Sequence, residues 1–319
     1  MSYALDVKKE LTTISVTKKC CQLAEIAGFL RFSSSIVPYG NGRMGMRIST
    51  DNPAVARLVL SLIKEYFGTK GSLSIDNDTM PLSRGRSYEL LIPPEMNAEG
   101  ILRETGIVGI KEGYNYVTDG INADIIRKRC CKKAFLRGMF LACGTVTDPT
   151  KAYHLELSCS SEYMASDIRK LINSFGLKAR TIKRRNRWAV YIKDSEQISD
   201  LLNILGAANQ LFLFENVRIT KEMRGTANRI SNCESANLQK SVNAAQKQIA
   251  DIKLIEKNRG LESLAPKLKQ AAVLRLDNPE LPLAELALLF EPPLAKSGLN
   301  HRFAKLAEIA EGLRGAVDA

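Results

Sequence analysis

The sequence predicts an α+β protein: a pseudo-two-fold α-β-β-α-β-β-α repeat, then a linker helix, then an all-α terminal module. Residues 20–38 and 130–149 read almost the same, about 110 positions apart. Cys20-Cys21, Ala24 and Gly28 of the first copy meet Cys130-Cys131, Ala134 and Gly138 of the second, and the apolar positions between them coincide. A repeat at this spacing implies two copies of one αβ unit about an approximate two-fold axis. The same order of helical and strand-like periods follows each copy. Composition then shifts near Arg224 to a stretch rich in Asn, Ala, Gln, Lys and Ser.

In the first half, the repeated helix leads into strand-like runs at Ser35–Tyr39 and Met44–Thr50. A helix is expected from Pro53 to Phe67, because Val55, Leu58, Val59, Leu62, Ile63 and Tyr66 recur at helical spacing and Gly68 stops it. Strands at Ser72–Ile75 and Tyr88–Ile92 precede a helix over Asn97–Thr105. The second half opens with a helix over Ile125–Cys143 and a strand over Tyr153–Ser158. A helix over Ser161–Phe175 ends at Gly176, and Lys178–Arg184 and Trp188–Ile192 flank a turn at Arg185–Arg187. A last helix over Glu196–Leu205 ends at Gly206, the counterpart of Gly106. That order implies four-stranded antiparallel sheets with helices on one face.

From Ala227 to about Asn258 the chain reads as a helix too polar all round for a core, hence a linker or docking helix ended by Gly260. The expected domains are therefore 1–224, with halves of about 1–124 and 125–224, a linker over 225–260, and a terminal module over 261–319.

In the terminal module, Pro266–Leu276 reads as one helix, broken by Asp277-Asn278-Pro279. Pro282 suits the first turn of a second, with Leu283, Leu286, Ala287 and Leu289 apolar, and Pro292-Pro293 end it. Ser297 is expected to cap a third helix with an inner stripe of Leu299, Phe303, Leu306 and Ile309-Ala310. Its other face carries Lys296, Ser297, Asn300, His301, Arg302 and Lys305. A helix, a turn and a helix with polar groups at its N-terminal end is the helix-turn-helix pattern, which enters the DNA major groove by that end. Asn pairs with adenine and Arg or Lys with guanine, while Lys296 and Ser297 suit phosphates. The alternative is a three-helix bundle that docks on a protein.

The chain of 319 residues is long enough for two or three domains. No apolar run reaches the roughly 18–20 residues that span a bilayer, and no apolar segment follows Lys8-Lys9, so the chain is expected to stay in the cytoplasm. Seven cysteines without a secretion signal argue against a disulfide framework; with no CxxC and only His154 and His301, a structural zinc site is not expected. The cysteines read as small buried hydrophobes.

The net charge of +12 is uneven: residues 1–124 balance, residues 125–224 hold 19 Lys/Arg against 9 Asp/Glu, and residues 225–319 carry about +2. A basic field confined to one segment points to a polyanion, a solvated charged face being the alternative. Arg180, Lys183, Arg184, Arg185 and Arg187 on one hairpin are the candidate backbone contacts. The absence of a basic amphipathic helix with an aromatic face argues against a membrane surface.

The segments Ile26-Ala27-Gly28-Phe29-Leu30-Arg31-Phe32-Ser33-Ser34 and Leu136-Arg137-Gly138-Met139-Phe140-Leu141-Ala142-Cys143-Gly144 resemble the paired helices of LAGLIDADG homing endonucleases. The resemblance implies that Gly28 and Gly138 let the two helices approach closely, with the sheets forming a saddle over DNA. In that family the eighth position is an acid that holds divalent metal for phosphodiester hydrolysis. Here those positions are Ser33 and Cys143, with no acid within three residues of either; Asp148 is five beyond Cys143. Neither supplies the carboxylate oxygen that Mg²⁺ takes, so no nuclease activity, metal or cofactor is expected.

The degenerate repeat, the run from Arg224-Gly225-Thr226-Ala227-Asn228-Arg229 to Ala236-Asn237, and the ending Pro292-Pro293-Leu294-Ala295-Lys296-Ser297-Gly298-Leu299-Asn300-His301-Arg302 together resemble the WhiA family over essentially the whole chain. That resemblance implies a bacterial DNA-binding transcriptional regulator tied to sporulation, cell division and chromosome segregation, with a terminal module similar to the fourth region of sigma factors. Double-stranded DNA is the implied partner. Two alternatives stand beside it. One is a protein-interaction platform, with RNA polymerase or another regulator as partner, which the neutral first half favours. The other is RNA binding, which sparse aromatics and a single Trp188 disfavour. The internal repeat is compatible with a monomer.

Overall fold

The computed structural model describes residues 2–69, 72–76 and 87–315. The chain divides into two compact units, Met1–Lys221 and Glu222–Ala319.

The first unit opens with α1 (Tyr3–Leu11), whose Val7 and Leu11 are fully buried. Then come α2 (Lys19–Ser33), β1 (Ser34–Pro38), β2 (Met44–Thr50), α3 (Pro53–Phe67), β3 (Ser72–Asp76), β4 (Ser87–Ile92) and α4 (Ala98–Glu104). A hairpin of β5 (Val108–Lys111) and β6 (Tyr114–Val117) closes the half. The second half repeats the plan: α5 (Arg129–Cys143), β7 (Gly144–Val146), β8 (Leu155–Cys159), α6 (Glu162–Asn173), β9 (Arg180–Arg184), β10 (Arg187–Ile192) and α7 (Ser195–Leu205). The two sheets are antiparallel and equivalent in order, β1-β2-β4-β3 and β7-β8-β10-β9.

Local chemistry fixes several helix ends. The Asn52 carboxamide oxygen accepts from Ala54 N–H at 2.9 Å and Pro53 takes the first turn of α3. Gly68, at φ 70°, ends that helix in the left-handed region that a Cβ disfavours. Ser161 and Asp194 cap α6 and α7 in the same way as Asn52. The helix expected to begin at Ile125 starts only at Arg129.

Core positions follow the period of each element. Met46 and Ile48 of β2 face Ile92 and Leu90 of β4, and all four are buried. Leu155, Leu157 and Cys159 of β8 pair with Ile192, Val190 and Trp188 of β10 on the equivalent face. These faces and α2, α3, α5, α6 and α7 form one core. Burial of this surface is the main source of the unit's stability.

The polar helix is longer than its composition suggested. Instead of starting at Ala227, α8 runs over Ala208–Arg259, 52 residues. Its start carries Phe214 into the first core, and its end carries Ile252 and Ile255 into the second. Only 226–240 is exposed on every side, so the linker character belongs to the middle of α8. Its first turn is capped by Glu10 of α1, whose carboxylate accepts from Asn209 N–H at 2.7 Å and Gln210 N–H at 2.9 Å. That cap lies 199 residues away in sequence, which is why no local signal marks the start.

In the second unit, α9 (Pro266–Asp277), α10 (Leu283–Leu288) and α11 (Lys296–Gly315) enclose Ala271, Ala272, Leu286, Phe290, Leu299, Phe303 and Leu306. Ser297 lies inside α11 and is not its cap: the helix already begins at Lys296, and Leu299 N–H bonds Ala295 O at 3.1 Å. The connection over residues 289–295 is pinned by Leu294 N–H to Ala287 O at 3.0 Å.

Candidate nucleic-acid interface

The first unit is organised by the seam between α2 and α5. A β-carbon added at Gly28 would lie 2.2 Å from the Phe135 carbonyl oxygen, and one at Gly138 would lie 2.1 Å from that of Glu25. Residues 25 and 135 are equivalent in the repeat, so the two contacts are the same contact seen twice. Neither helix admits a side chain there.

The seam also carries an asymmetric contact that periodicity does not announce. Arg137 donates from Nε to Glu25 Oε1 at 3.0 Å and from Nη2 to Oε2 at 2.5 Å, and from Nη1 to Leu205 O at 3.4 Å. Glu25 is 1% exposed and Arg137 9%. Burial pushes the Glu25 carboxyl up, against the pull of the Arg137 guanidinium. Charged residues in apolar stretches of two different helices were the available signal, but the sequence does not say that they meet.

Ser33 and Cys143 sit at the C-terminal ends of the two helices, both half-buried. The Cys143 thiol donates to Met139 O at 3.4 Å, and burial pushes it up to about 12, so it stays protonated at neutral pH. Lys8 of α1 approaches the same end. Burial lowers its pKa, and Asp51 and Cys143 are the neighbours that oppose the shift.

Strand register sorts the five hairpin cations. On β9 and β10, Arg184 pairs with Arg187 and Arg180 with Tyr191, on the face away from the core. Lys183 pairs with Trp188 on the core-side face and lies over that ring, 5.9 Å from its centroid. Arg185 holds the turn at φ 43°. All five are exposed. Arg184 is not a free charge: Nη2 lies 2.9 Å from Glu156 Oε2, and His154 Nε2 lies 3.0 Å from the same oxygen. On the first sheet the matching face holds Arg47 against Glu89 at 3.5 Å. Among the described residues, the open face of the second sheet therefore carries three hairpin cations, Arg180, Arg184 and Arg187, with Arg184 held by Glu156.

In the second unit, α11 turns Leu299, Phe303 and Leu306 inward and leaves Lys296, Ser297, Asn300, His301 and Lys305 exposed. These positions recur at three- and four-residue intervals and form one face, with no acid in the first turn. Arg302 departs from the expected set. Its guanidinium stacks 5.1 Å from the Phe290 ring centroid and Nη1 donates to Lys267 O at 3.3 Å, so it helps hold α11 on α9. Arg275, 1% exposed, has a comparable role: it donates to Gln248, Asn278 O and Leu281 O and lies over Phe303. Burial lowers its pKa. It fixes the turn between α9 and α10.

One further cluster lies at the opposite end of the seam. The sulfur atoms of Cys20, Cys21, Cys130 and Cys131 all lie within 4.8 Å of one another. Cys21 and Cys131 are buried, whereas Cys20 and Cys130 are half-buried. The absence of a CxxC had pointed away from such a grouping. The repeat supplies it by bringing two Cys-Cys pairs together from different helices.

The sequence matches the WhiA N-terminal LAGLIDADG-like domain over residues 19–108, the WhiA LAGLIDADG-like domain over residues 132–224, and the WhiA C-terminal HTH domain over residues 227–310. It is 42% identical to the "Probable cell division protein WhiA" of Thermoanaerobacter pseudethanolicus, covering 98% of both chains. It is 41% identical to the protein of that name from Clostridium perfringens, covering 98% of this chain and 99% of the relative. The fold is similar to the crystal structure of full-length DUF199/WhiA from Thermatoga maritima, with a TM-score of 0.58, 25% identity and 98% of each chain covered. No helix among the described residues is long and apolar enough to cross a membrane. With a degenerate LAGLIDADG repeat, a terminal helix-turn-helix and relatives alike from end to end, the chain belongs to the WhiA family.

Proposed function

We propose that this chain is a non-enzymatic, DNA-binding regulator of transcription that serves cell division, sporulation and chromosome segregation, acting in the cytoplasm on the nucleoid. The observation that carries the reading is the exposed face of α11. Lys296, Ser297, Asn300, His301 and Lys305 project from a helix whose opposite stripe is core. Such a face at a helix N-terminus suits major-groove readout, with Asn300 on a base edge and Lys296 and Ser297 on phosphates. Arg302 supports the helix. The second half of the repeat adds a basic platform through Arg180, Arg185 and Arg187.

The same reading takes Ser33 and Cys143 as replacements for the metal-binding acids of a cutting enzyme. A protonated thiol, a hydroxyl and the nearby Lys8 ammonium disfavour a hard divalent cation. Anisotropy titrations of the full chain on duplexes from a randomised pool test the proposal. Sequence-selective binding that Asn300→Ala relaxes is expected; equal affinity of the two chains for every duplex would refute it.

A second reading concerns the first half alone, as a surface for another protein such as RNA polymerase. The β5–β6 hairpin favours it: Tyr114 is 79% exposed and Val117 66%, with Ile110 and Tyr116 beside them. A hairpin with these apolar groups exposed, whose Lys111 and Glu112 charges balance, does not suit a polyanion. Capture of polymerase by the full chain after nuclease treatment, lost on Tyr114→Ser, is the expected result.

A further inference from the structure

We propose that Cys20, Cys21, Cys130 and Cys131 form a mononuclear four-thiolate zinc site on the pseudo-two-fold axis, clamping α2 to α5 at their N-terminal ends. The four sulfurs are the one group of three or more candidate ligands among the described residues. Tetrahedral zinc with metal–sulfur bonds of about 2.3 Å places its sulfurs about 3.8 Å apart. The Cys130 and Cys131 sulfurs are already 3.9 Å apart, and every pair is within 4.8 Å. Adjacent helical side chains usually diverge, yet here both members of each pair reach one point. A polynuclear iron–sulfur cluster, with its thiolates on different irons, would spread them further.

The surroundings suit the charge. Four thiolates on Zn²⁺ carry a net −2. They stand in the first turns of two helices, where free N–H groups and the helix dipoles are positive. Neither helix has a side-chain cap: Lys18 and Lys128 occupy the N-cap positions. No acid lies in either first turn; Lys19 and Arg129 precede the cysteines in sequence, with their charged ends over Tyr66 and Phe175. Half-buried Cys20 and Cys130 leave a way in for the metal. Four protein ligands close the coordination shell, which marks a structural site and not a catalytic one. Along α2 the cluster lies about 18 Å from Ser33, so it is separate from the position where the cutting relatives hold metal.

The test uses the full chain, purified under reducing conditions without added metal. Elemental analysis is expected to find one zinc per chain, with the four cluster thiols protected from a thiol reagent until a mercurial displaces the metal. Cobalt replacement is expected to give the thiolate charge-transfer and tetrahedral d–d absorption of a four-sulfur site. The C21S/C131S double variant should lose the metal, whereas C233S should keep it. If the double variant does not fold, the single C20S and C130S variants, with a weakened cobalt spectrum, decide the matter. Four freely reactive thiols with background zinc would overturn the proposal. So would a disulfide within the cluster, or iron in place of zinc.

Discussion

Gly28 of α2 lies against the Phe135 carbonyl of α5 so closely that a β-carbon would come within 2.2 Å of the oxygen. Its repeat equivalent Gly138 stands in the same relation to Glu25, at 2.1 Å. The obstacle is backbone in both cases, which cannot swing aside as a side chain can. Gly28→Ala and Gly138→Ala should each cost more than the ~1–3 kcal/mol typical of overpacking, read as a loss of denaturant midpoint. Gly312→Ala is the contrast. Nothing lies within 4 Å of its added carbon, and a helix-interior Ala should stabilise by about 1 kcal/mol.

The Glu25–Arg137 pair predicts strong non-additivity. Arg137→Met leaves an unpaired buried carboxylate and should cost about 3–5 kcal/mol. The double variant Glu25→Leu/Arg137→Met removes both charges and should recover most of that loss. Equilibrium unfolding of the two singles and the double closes the cycle; additive costs would show that the pair does not couple.

Burial raises the Glu25 carboxyl in the folded state. The folded protein therefore binds the extra proton, and stability attributable to this group is highest below the unfolded carboxyl value. It falls as pH rises through the folded one. Arg137→Met removes the opposing attraction, so its stability should fall more steeply over a window reaching higher pH. Denaturation curves across mildly acidic to neutral pH check the sign.

On the terminal unit, two neighbours on α11 should behave differently. Lys305→Ala should weaken binding to all duplexes alike and lower the salt slope by about one. Arg302→Ala should destabilise the unit by about 1 kcal/mol, because it loses the Phe290 stacking and the Lys267 carbonyl. Thermal melts and titrations on the same samples separate these effects.

Glu156 holds Arg184 at 2.9 Å on the open face of the second sheet. Glu156→Gln should free that cation and raise affinity by up to about fivefold at low salt. Arg180→Ala and Arg187→Ala should lower it. Lys183→Ala, on the core-side face over Trp188, should change it less.

Features with local causes were legible in the sequence. The Pro53 start and Gly68 stop of α3, the Gly206 stop of α7 and the strands β2 and β10 each follow from residues within a few positions. What depended on remote partners was not. The start of α8 rests on Glu10, and Arg302 looked like a base reader until Phe290 and Lys267 were placed beside it. The β5–β6 hairpin turns at Glu112-Gly113, with φ of 52° and 84°, a pair without the usual Asn-Gly or Asp-Gly signature. The two Cys-Cys pairs were visible as a repeat, but their convergence follows only from the close seam that Gly28 and Gly138 permit.

The central proposal is that a LAGLIDADG-like scaffold here reads DNA without cutting it. Selection of bound sites from randomised duplexes, run with the full chain in the presence of Mg²⁺, tests this most directly. The account predicts one enriched motif recovered as intact duplex, and loss of that enrichment on Asn300→Ala. A recovered pool no different from the starting one, or a motif recovered as cleaved ends, would contradict it.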